Sequence, residues 1–405
     1  MCSPEAGAWE APAGLDPLKT TEATNANWSD RLLKACSRET SGGRFIPQID
    51  GLRTLAVLTV VLFHLDDQMG KPEVSGAVDR AFTSLIRRGF LGVPIFFAIS
   101  AFIVALPFAQ RWLTGGKAVG LGRFYLRRLT RLEPPYILNL VVIWLIGAAV
   151  GWWTVGGMMK SMGASLLYQH NQLFGEFSFI NSVAWSLEVE FQFYLLAPLL
   201  TLVFALRRQG LRWLVLAAVC GLVIGLRDLD ARRVQLSLIG QFEAFAVGLV
   251  VVDVHLTRWS KGPPRKVWLD FVGLAGWLGF FALSRIEAAG LRSALQCGCL
   301  LGAFLGSLGG VWLSRVLGNR WVFTFGGMCY SFYLWHQWLL IFGVPWIKGR
   351  LGLSGGYFGQ YLVVSLLILP PVFAICTALF VWVEKPFMSR DWPQRLAARW
   401  RRISG

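Results

Sequence analysis

The sequence predicts an all-α protein, a polytopic membrane helical bundle of about ten transmembrane helices with both termini in the cytoplasm. Three observations carry this. Of 405 residues, 55% are hydrophobic and only 15% are charged, against roughly 25% charge in an ordinary globular domain. Apolar stretches close to the roughly 20 residues needed to cross the hydrocarbon recur from residue 47 onward. The basic residues between them gather in alternate loops, as membrane insertion imposes. Nineteen Trp and 29 Phe add aromatic mass suited to lipid and headgroup contacts. A soluble enzyme, a disordered regulator and a secreted disulfide scaffold are excluded.

Residues 1–44 are polar, rich in Ala, Thr and Asn, and lack the apolar core of a signal peptide. They are expected to form a disordered cytoplasmic tail. A transmembrane domain follows over 45–388, with spans expected at 47–66, 89–109, 134–153, 185–206, 211–226, 235–254, 268–285, 295–313, 322–343 and 358–383. The first is the weakest, because it holds Arg53 and His64. Residues 389–405 read as a basic cytoplasmic tail.

Loop charge sets the orientation. Arg31, Lys34, Arg38 and Arg44 precede the first span and place the N-terminus inside. The loops after spans two, four, six and eight then face inward, and each is basic without compensation. They hold Arg111, Lys117, Arg123, Arg127, Arg128 and Arg131; Arg207, Arg208 and Arg212; Arg258, Lys261, Arg265 and Lys266; and Arg315 and Arg320. Outward loops are mixed, as at Arg227, Asp228, Asp230, Arg232 and Arg233, or nearly neutral over 154–184. The net charge of +16 is therefore a topology signal, and no nucleic-acid partner is expected.

Seven Cys is an odd number, and no C-x-x-C pair occurs. Cys220, Cys297, Cys299, Cys329 and Cys376 lie in or beside apolar runs and read as small core residues. Neither a metal site nor a disulfide framework is expected. There is no P-loop, no G-x-S-x-G elbow and no H-E-x-x-H. Gly-rich runs in spans seven and eight read as close helix packing.

An ionisable group within a span costs a few kcal/mol and so demands a reason. Arg53, His64, Glu188, Glu190, Glu243 and His336 all fall there. Arg53 and His64 are eleven residues apart, almost three helical turns, so they share one helix face about 16 Å apart along its axis. His64 reads either as a general base for a hydroxyl or as a core His bonded to a carbonyl. In Trp185-Ser186-Leu187-Glu188-Val189-Glu190, Ser186 and Glu190 share a face and Glu188 points away. Glu190 could orient His64, bind sugar hydroxyls, or join two helices. Arg127, Arg128 and Arg131 before Pro134-Pro135 either hold phosphate oxygens bidentately or follow from topology alone.

Together these segments resemble the acyltransferase 3 family of integral membrane acyltransferases. Phe45-Ile-Pro-Gln-Ile-Asp50-Gly51-Leu52-Arg53, continuing to Phe63-His64, is similar to that family's first helix with its Arg-x10-His pattern. Gly92-Val-Pro-Ile-Phe-Phe-Ala-Ile-Ser100-Ala-Phe102 resembles its "GVDxFFxxSGF" segment, with Pro94 in place of Asp and Ala101 in place of Gly. Arg128 and Arg131 carry an R-x-x-R pattern. Trp185–Tyr194 is similar to "WSLxxE…FY", which singles out Glu190. Tyr330–His336 and Val383–Phe387 resemble "YSxYLWH" and "VExPF".

The resemblance spans about 45–388 and implies an O-acyltransferase. It implies His64 as the base and Glu190 as an acceptor-site or His-orienting residue. Arg53, Arg128 and Arg131 would bind acyl-CoA, most simply acetyl-CoA, as co-substrate, and no permanently bound cofactor is expected. Trp185, Ser186 and His336 are candidates for substrate binding. The expected acceptor is a hydroxyl of a cell-envelope or extracellular glycan, with a small-molecule natural product such as a macrolide as the alternative. A transporter or flippase is the rival from another class. The expected location is the bacterial cytoplasmic membrane, and any second acyl-handling partner outside it is expected to be a separate protein.

Overall fold

The computed structural model of the chain describes residues 27–39, 45–72, 74, 76–226, 231–389 and 392. Among these the regular structure is helical throughout, with no strand. In order the helices are α1 (Trp28–Cys36), α2 (Pro47–Met69), α3 (Ala77–Ile86), α4 (Gly92–Leu113), α5 (Leu121–Ala149), α6 (Met159–Leu166), α7 (His170–Phe174), α8 (Trp185–Leu200) and α9 (Gln209–Leu226). Then follow α10 (Ala231–Gln235), α11 (Leu238–Thr257), α12 (Val267–Ala282), α13 (Ala289–Gly309), α14 (Trp312–Leu317), α15 (Arg320–Gly327), α16 (Cys329–Leu351) and α17 (Tyr357–Leu379).

Nine segments among the described residues are long and apolar enough to cross a membrane, and they match nine of the ten expected spans. The remaining one, expected at 322–343, breaks between α15 and α16. At 23 residues α16 has the length for a crossing, but Tyr330, His336, Gln337 and Lys348 make it more polar than the others. Two expectations are corrected. Residues 28–36 form α1 inside the segment expected to be a disordered tail, with Leu33 and Cys36 buried; 1–26 and 40–44 lie outside the described residues. The third span starts at Leu121 instead of 134, because the arginine-rich stretch continues as helix into the apolar run. The tail over 389–405 lies outside the described residues apart from Ser389 and Trp392.

Local chemistry explains the helix ends that matter. Pro47 occupies the first turn of α2, where its missing N–H removes no bond. Gly70 ends that helix at φ 92°, the left-handed conformation that glycine adopts without steric cost. Asp79 accepts the free backbone N–H groups of Tyr357 and Phe358 at 3.0 and 2.9 Å and so caps α17. Asp270 does the same for Val311, Trp312 and Leu313 at the head of α14.

Packing is close where glycines allow it. A Cβ at Gly306 of α13 would lie 2.3 Å from the Cα of Gly273 on α12, so the Gly-rich runs of spans seven and eight do serve helix contact. One core joins α4, α8, α11 and α13; a second joins α2, α16 and α17; a third joins α5, α8 and α16 to the segment 162–184. α2 packs against α4, α15 and α16 and forms the wall between the first two.

Two ends of the bundle can be told apart. The start of α2, the end of α4, the start of α5, the end of α11 and the start of α12 share one end, around a single cavity. The end of α2, the start of α4 and the end of α12 share the other.

Candidate active site

His64 lies in the last two turns of α2, and its Nδ1 is 3.1 Å from Oδ2 of Asp67, three residues on. An ionised carboxylate only accepts, so Nδ1 carries the hydrogen and Nε2 presents a lone pair. Asp67 also pairs with Lys71. The His64 ring stands 5.3 Å from that of His336, centroid to centroid, tilted by 46°. His336 is fully buried on α16 and its Nδ1 faces the carbonyls of Phe332 and Tyr333 at 2.7 and 3.1 Å. Carbonyls also only accept, so Nδ1 is the donor here too. Among the described residues Nε2 of His336 has no hydrogen-bond partner, which leaves it a buried acceptor beside His64.

Glu190 sits on α8 and accepts hydrogen bonds from Ser100 Oγ of α4 and from Tyr194 OH one turn along. The Arg128 guanidinium lies over the Tyr194 ring, 5.2 Å from its centroid, and over Phe124 at 5.7 Å. Glu190 is thus joined to the arginine side of the protein, while His64 is bonded to Asp67. Arg53 donates to Oδ1 of Asp50 at 2.6 Å, and Arg38 donates through Nε to Oδ2 of the same carboxylate at 2.6 Å. Asp50 is buried and holds both cations in place. Burial pulls the Arg38 guanidinium down to about 10, against the raising effect of Asp50, so it stays charged at neutral pH.

Arg38, Arg123, Arg127, Arg128, Arg131 and Arg265 line a cavity of about 1110 Å³ at this end of the bundle. Its floor is apolar, from Phe102, Ile103 and Leu106 of α4. Arg53 lies behind the lining, bound to Asp50. Six guanidinium groups around one cavity are suited to an anion with several phosphate oxygens. No group of three or more His, Cys, Asp or Glu among the described residues is arranged to hold a metal.

A sequence profile of the acyltransferase 3 family, described as an acyltransferase domain, matches residues 46–401. The chain belongs to the acyltransferase 3 family. It is 26% identical over 336 residues to the peptidoglycan O-acetyltransferase OatA of Listeria monocytogenes, covering 75% of this chain and 50% of that protein. To the O-acetyltransferase OatA of Staphylococcus aureus strain NCTC 8325 it is 25% identical over 338 residues, covering 74% and 51%. The chain spans about half the length of the curated relatives it matches. No solved structure matches. The chain is therefore an acyltransferase domain of a multi-pass membrane protein.

The two departures from the acyltransferase 3 pattern have structural consequences. Pro94 falls in the first turn of α4, where a proline is tolerated. Ala101 is fully buried and faces Gly248 of α11, where a Cβ would come within 2.6 Å of the Ala101 methyl and 2.2 Å of the Ala98 carbonyl oxygen. The extra methyl at 101 is accommodated because residue 248 has none.

The remaining candidates organise the opposite end. Ser186 Oγ and the Leu187 N–H both donate to Tyr333 OH, at 3.2 and 3.1 Å, and Tyr333 donates to the Val183 carbonyl at 2.5 Å. The Trp185 carbonyl accepts from Asn171 at 2.9 Å, and its ring meets Phe97 edge-on. Glu188, buried, accepts from the Asn171 N–H at 2.8 Å and fastens α7. Its partners are thus different from those of Glu190. Asp67, Asp50, Arg38, Ser100 and Tyr194 were given no site role from sequence. Asp67, Asp50 and Tyr194 had a legible signal, each being one turn from His64, Arg53 or Glu190; Arg38 and Ser100 are brought in by tertiary packing.

Proposed function

We propose that this domain moves an acetyl group from acetyl-CoA, bound at the arginine-lined end, to a hydroxyl of a cell-envelope glycan reaching His64 from the other end. The carrying observation is the division of labour along α2: its start lines the six-arginine cavity, and its last turns hold the His64–Asp67 pair. Arg53 and His64 share one face of that helix about 16 Å apart, so a donor anchored by phosphates needs an extended arm to reach the base. The pantetheine chain of coenzyme A supplies one.

In this reading Nε2 of His64 takes the proton of the acceptor hydroxyl as its oxygen attacks the thioester carbonyl carbon. The C–S bond then breaks, and the departing CoA sulfur recovers that proton from His64. Asp67 holds the imidazole in the required tautomer. The buried lone pair on Nε2 of His336 gives an acceptor hydroxyl a second point of contact. Glu190, held by Ser100 and Tyr194, balances the cations between the two ends. The glycan acceptor is supported by the Listeria monocytogenes relative, which carries peptidoglycan O-acetyltransferase as its name. Positive loop charge at the cavity end supports a cytoplasmic-membrane location with the donor inside.

The test is on the donor side. Arg128→Gln/Arg131→Gln is expected to raise the KM for acetyl-CoA by about tenfold or more, from the loss of two charge-assisted contacts, with a smaller change in the KM for the acceptor. Unchanged acetyl-CoA kinetics would place the donor elsewhere.

A further inference from the structure

A second basic site lies at the end of the bundle opposite the donor cavity. It is a groove of about 560 Å³ lined by Arg80, Arg87, Arg88 and Arg285, with hydroxyls from Ser84 and Ser284 among the rest. Three helices fix its position independently. It follows the end of α2, precedes the start of α4 and follows the end of α12, whereas the donor cavity borders the opposite terminus of each. Along α4 the 22 residues between them amount to about 33 Å.

Topology does not account for these arginines. Insertion favours uncompensated basic residues at the cytoplasmic end, and this groove is at the other. Arg87 is paired with buried Asp66 at 3.1 Å. Arg285 donates to Ser84 Oγ at 2.5 Å. Among the described residues Arg88 makes no ion pair, and Arg285 lines the same groove. Guanidinium groups gathered around one groove repel each other until an anion sits among them.

The groove also borders the turn that packs on the His64-bearing half of α2. Gly89 follows Arg88 directly and packs so tightly on α2 that a Cβ there would lie 2.2 Å from the Thr59 carbonyl oxygen and 2.7 Å from Phe63 Cβ. The Phe90 ring meets the Phe63 ring at 6.0 Å, and Phe63 precedes His64. Asp66, which holds Arg87, is two residues beyond His64 and so faces a different side of the same helix end. An anion in the groove would therefore be anchored at the end of α2 that carries His64.

We propose that this groove is the anion subsite of the acceptor, seating a carboxylate or phosphate carried by the glycan while a neighbouring hydroxyl reaches His64. This rests on the acyl-transfer reading above, and it narrows the acceptor to a negatively charged glycan.

The test measures binding, without turnover. Fluorescein-labelled hexagalacturonate and its neutral methyl ester are titrated against the full chain in neutral detergent. The acid form is expected to bind at least about tenfold tighter than the ester and to weaken with salt. Arg88→Gln/Arg285→Gln should lose that advantage, and Arg88→Lys/Arg285→Lys should keep most of it. Equal binding of acid and ester by the wild-type protein, a comparison independent of variant folding, would overturn the proposal, as would full binding by the Gln variant. Phosphatidylglycerol added to the detergent separates the two sources of anion. Stoichiometric displacement of the oligomer by the lipid would reassign the groove to a headgroup and overturn the glycan assignment; persistence of binding supports it. His64→Ala protein is expected to bind the oligomer within about twofold of wild type, so lost transfer and lost anion binding are read separately.

Discussion

His64 and Asp67 stand one turn apart on α2 with Nδ1 and Oδ2 at 3.1 Å. A helix brings residues three apart onto one face, so this pair needs no tertiary contact to form. What the fold adds is the setting: His336 from α16 on one side, and the junction with Gly89–Leu91 against Phe63 on the other.

Replacing Asp67 by Asn keeps the size of the side chain and removes its charge. Asn can meet either nitrogen of the imidazole, so the tautomer with a free Nε2 is no longer enforced. A positioned base contributes roughly 10²–10⁴-fold, and Asp67 is 24% exposed and shared with Lys71. Acetyl transfer is expected to fall by about tenfold to a hundredfold, mostly in kcat, at unchanged protein levels. Steady-state kinetics of Asp67→Asn check this; full activity would reduce the pair to a surface contact.

Asp253 and Arg212 form an ion pair at 2.7 Å in which both side chains are almost fully enclosed, with the Trp213 indole donating to the second carboxylate oxygen at 2.8 Å. Removing one partner strands the other charge, at a cost of about 3–5 kcal/mol. Asp253→Ala should therefore melt well below wild type in detergent, while Lys71→Ala, which removes an exposed pair, should melt within a degree or two. Differential scanning fluorimetry on the two variants decides it.

Burial holds the His170 imidazole below its usual range, partly offset by its bond to the Glu176 carbonyl. The folded protein thus disfavours the protonated form. The unfolded segment binds the proton more readily, so the contribution of His170 to local stability is present above the ordinary histidine pKa of about 6.5 and is lost as pH falls below it. Amide protection over 159–178, taken relative to the intrinsic exchange rate at each pH, is expected to fall between about pH 6.5 and 5, and His170→Gln should flatten that dependence.

Much of the fold was legible because apolar length and loop charge are direct physical requirements of a bilayer. The break between Gly327 and Cys329 was not, since residues 322–343 hold no Pro and no Asp, Glu, Lys or Arg to mark it. Helix α1 was missed because its two buried residues, Leu33 and Cys36, are set in an otherwise polar stretch. In the site, Arg53, His64 and Glu190 stood out as ionisable groups in apolar runs, and Arg128 and Arg131 as a spaced pair. Sequence spacing could not show that Glu190 bonds to Ser100, ninety residues away on α4. Nor could it show that Arg38, counted only as a topology charge, shares Asp50 with Arg53. The divergent fates of Glu188 and Glu190 were half legible: their opposite faces were clear, while the partner of each depended on tertiary packing.

The most direct measurement incubates detergent-purified wild type and His64→Ala with radiolabelled acetyl-CoA and a panel of glycan and small-molecule acceptors, following CoA release and labelled product. Wild type is expected to release CoA and label the acceptor, with a loss of at least about a hundredfold in a well-folded His64→Ala protein. Transfer at the wild-type rate by His64→Ala would contradict this expectation.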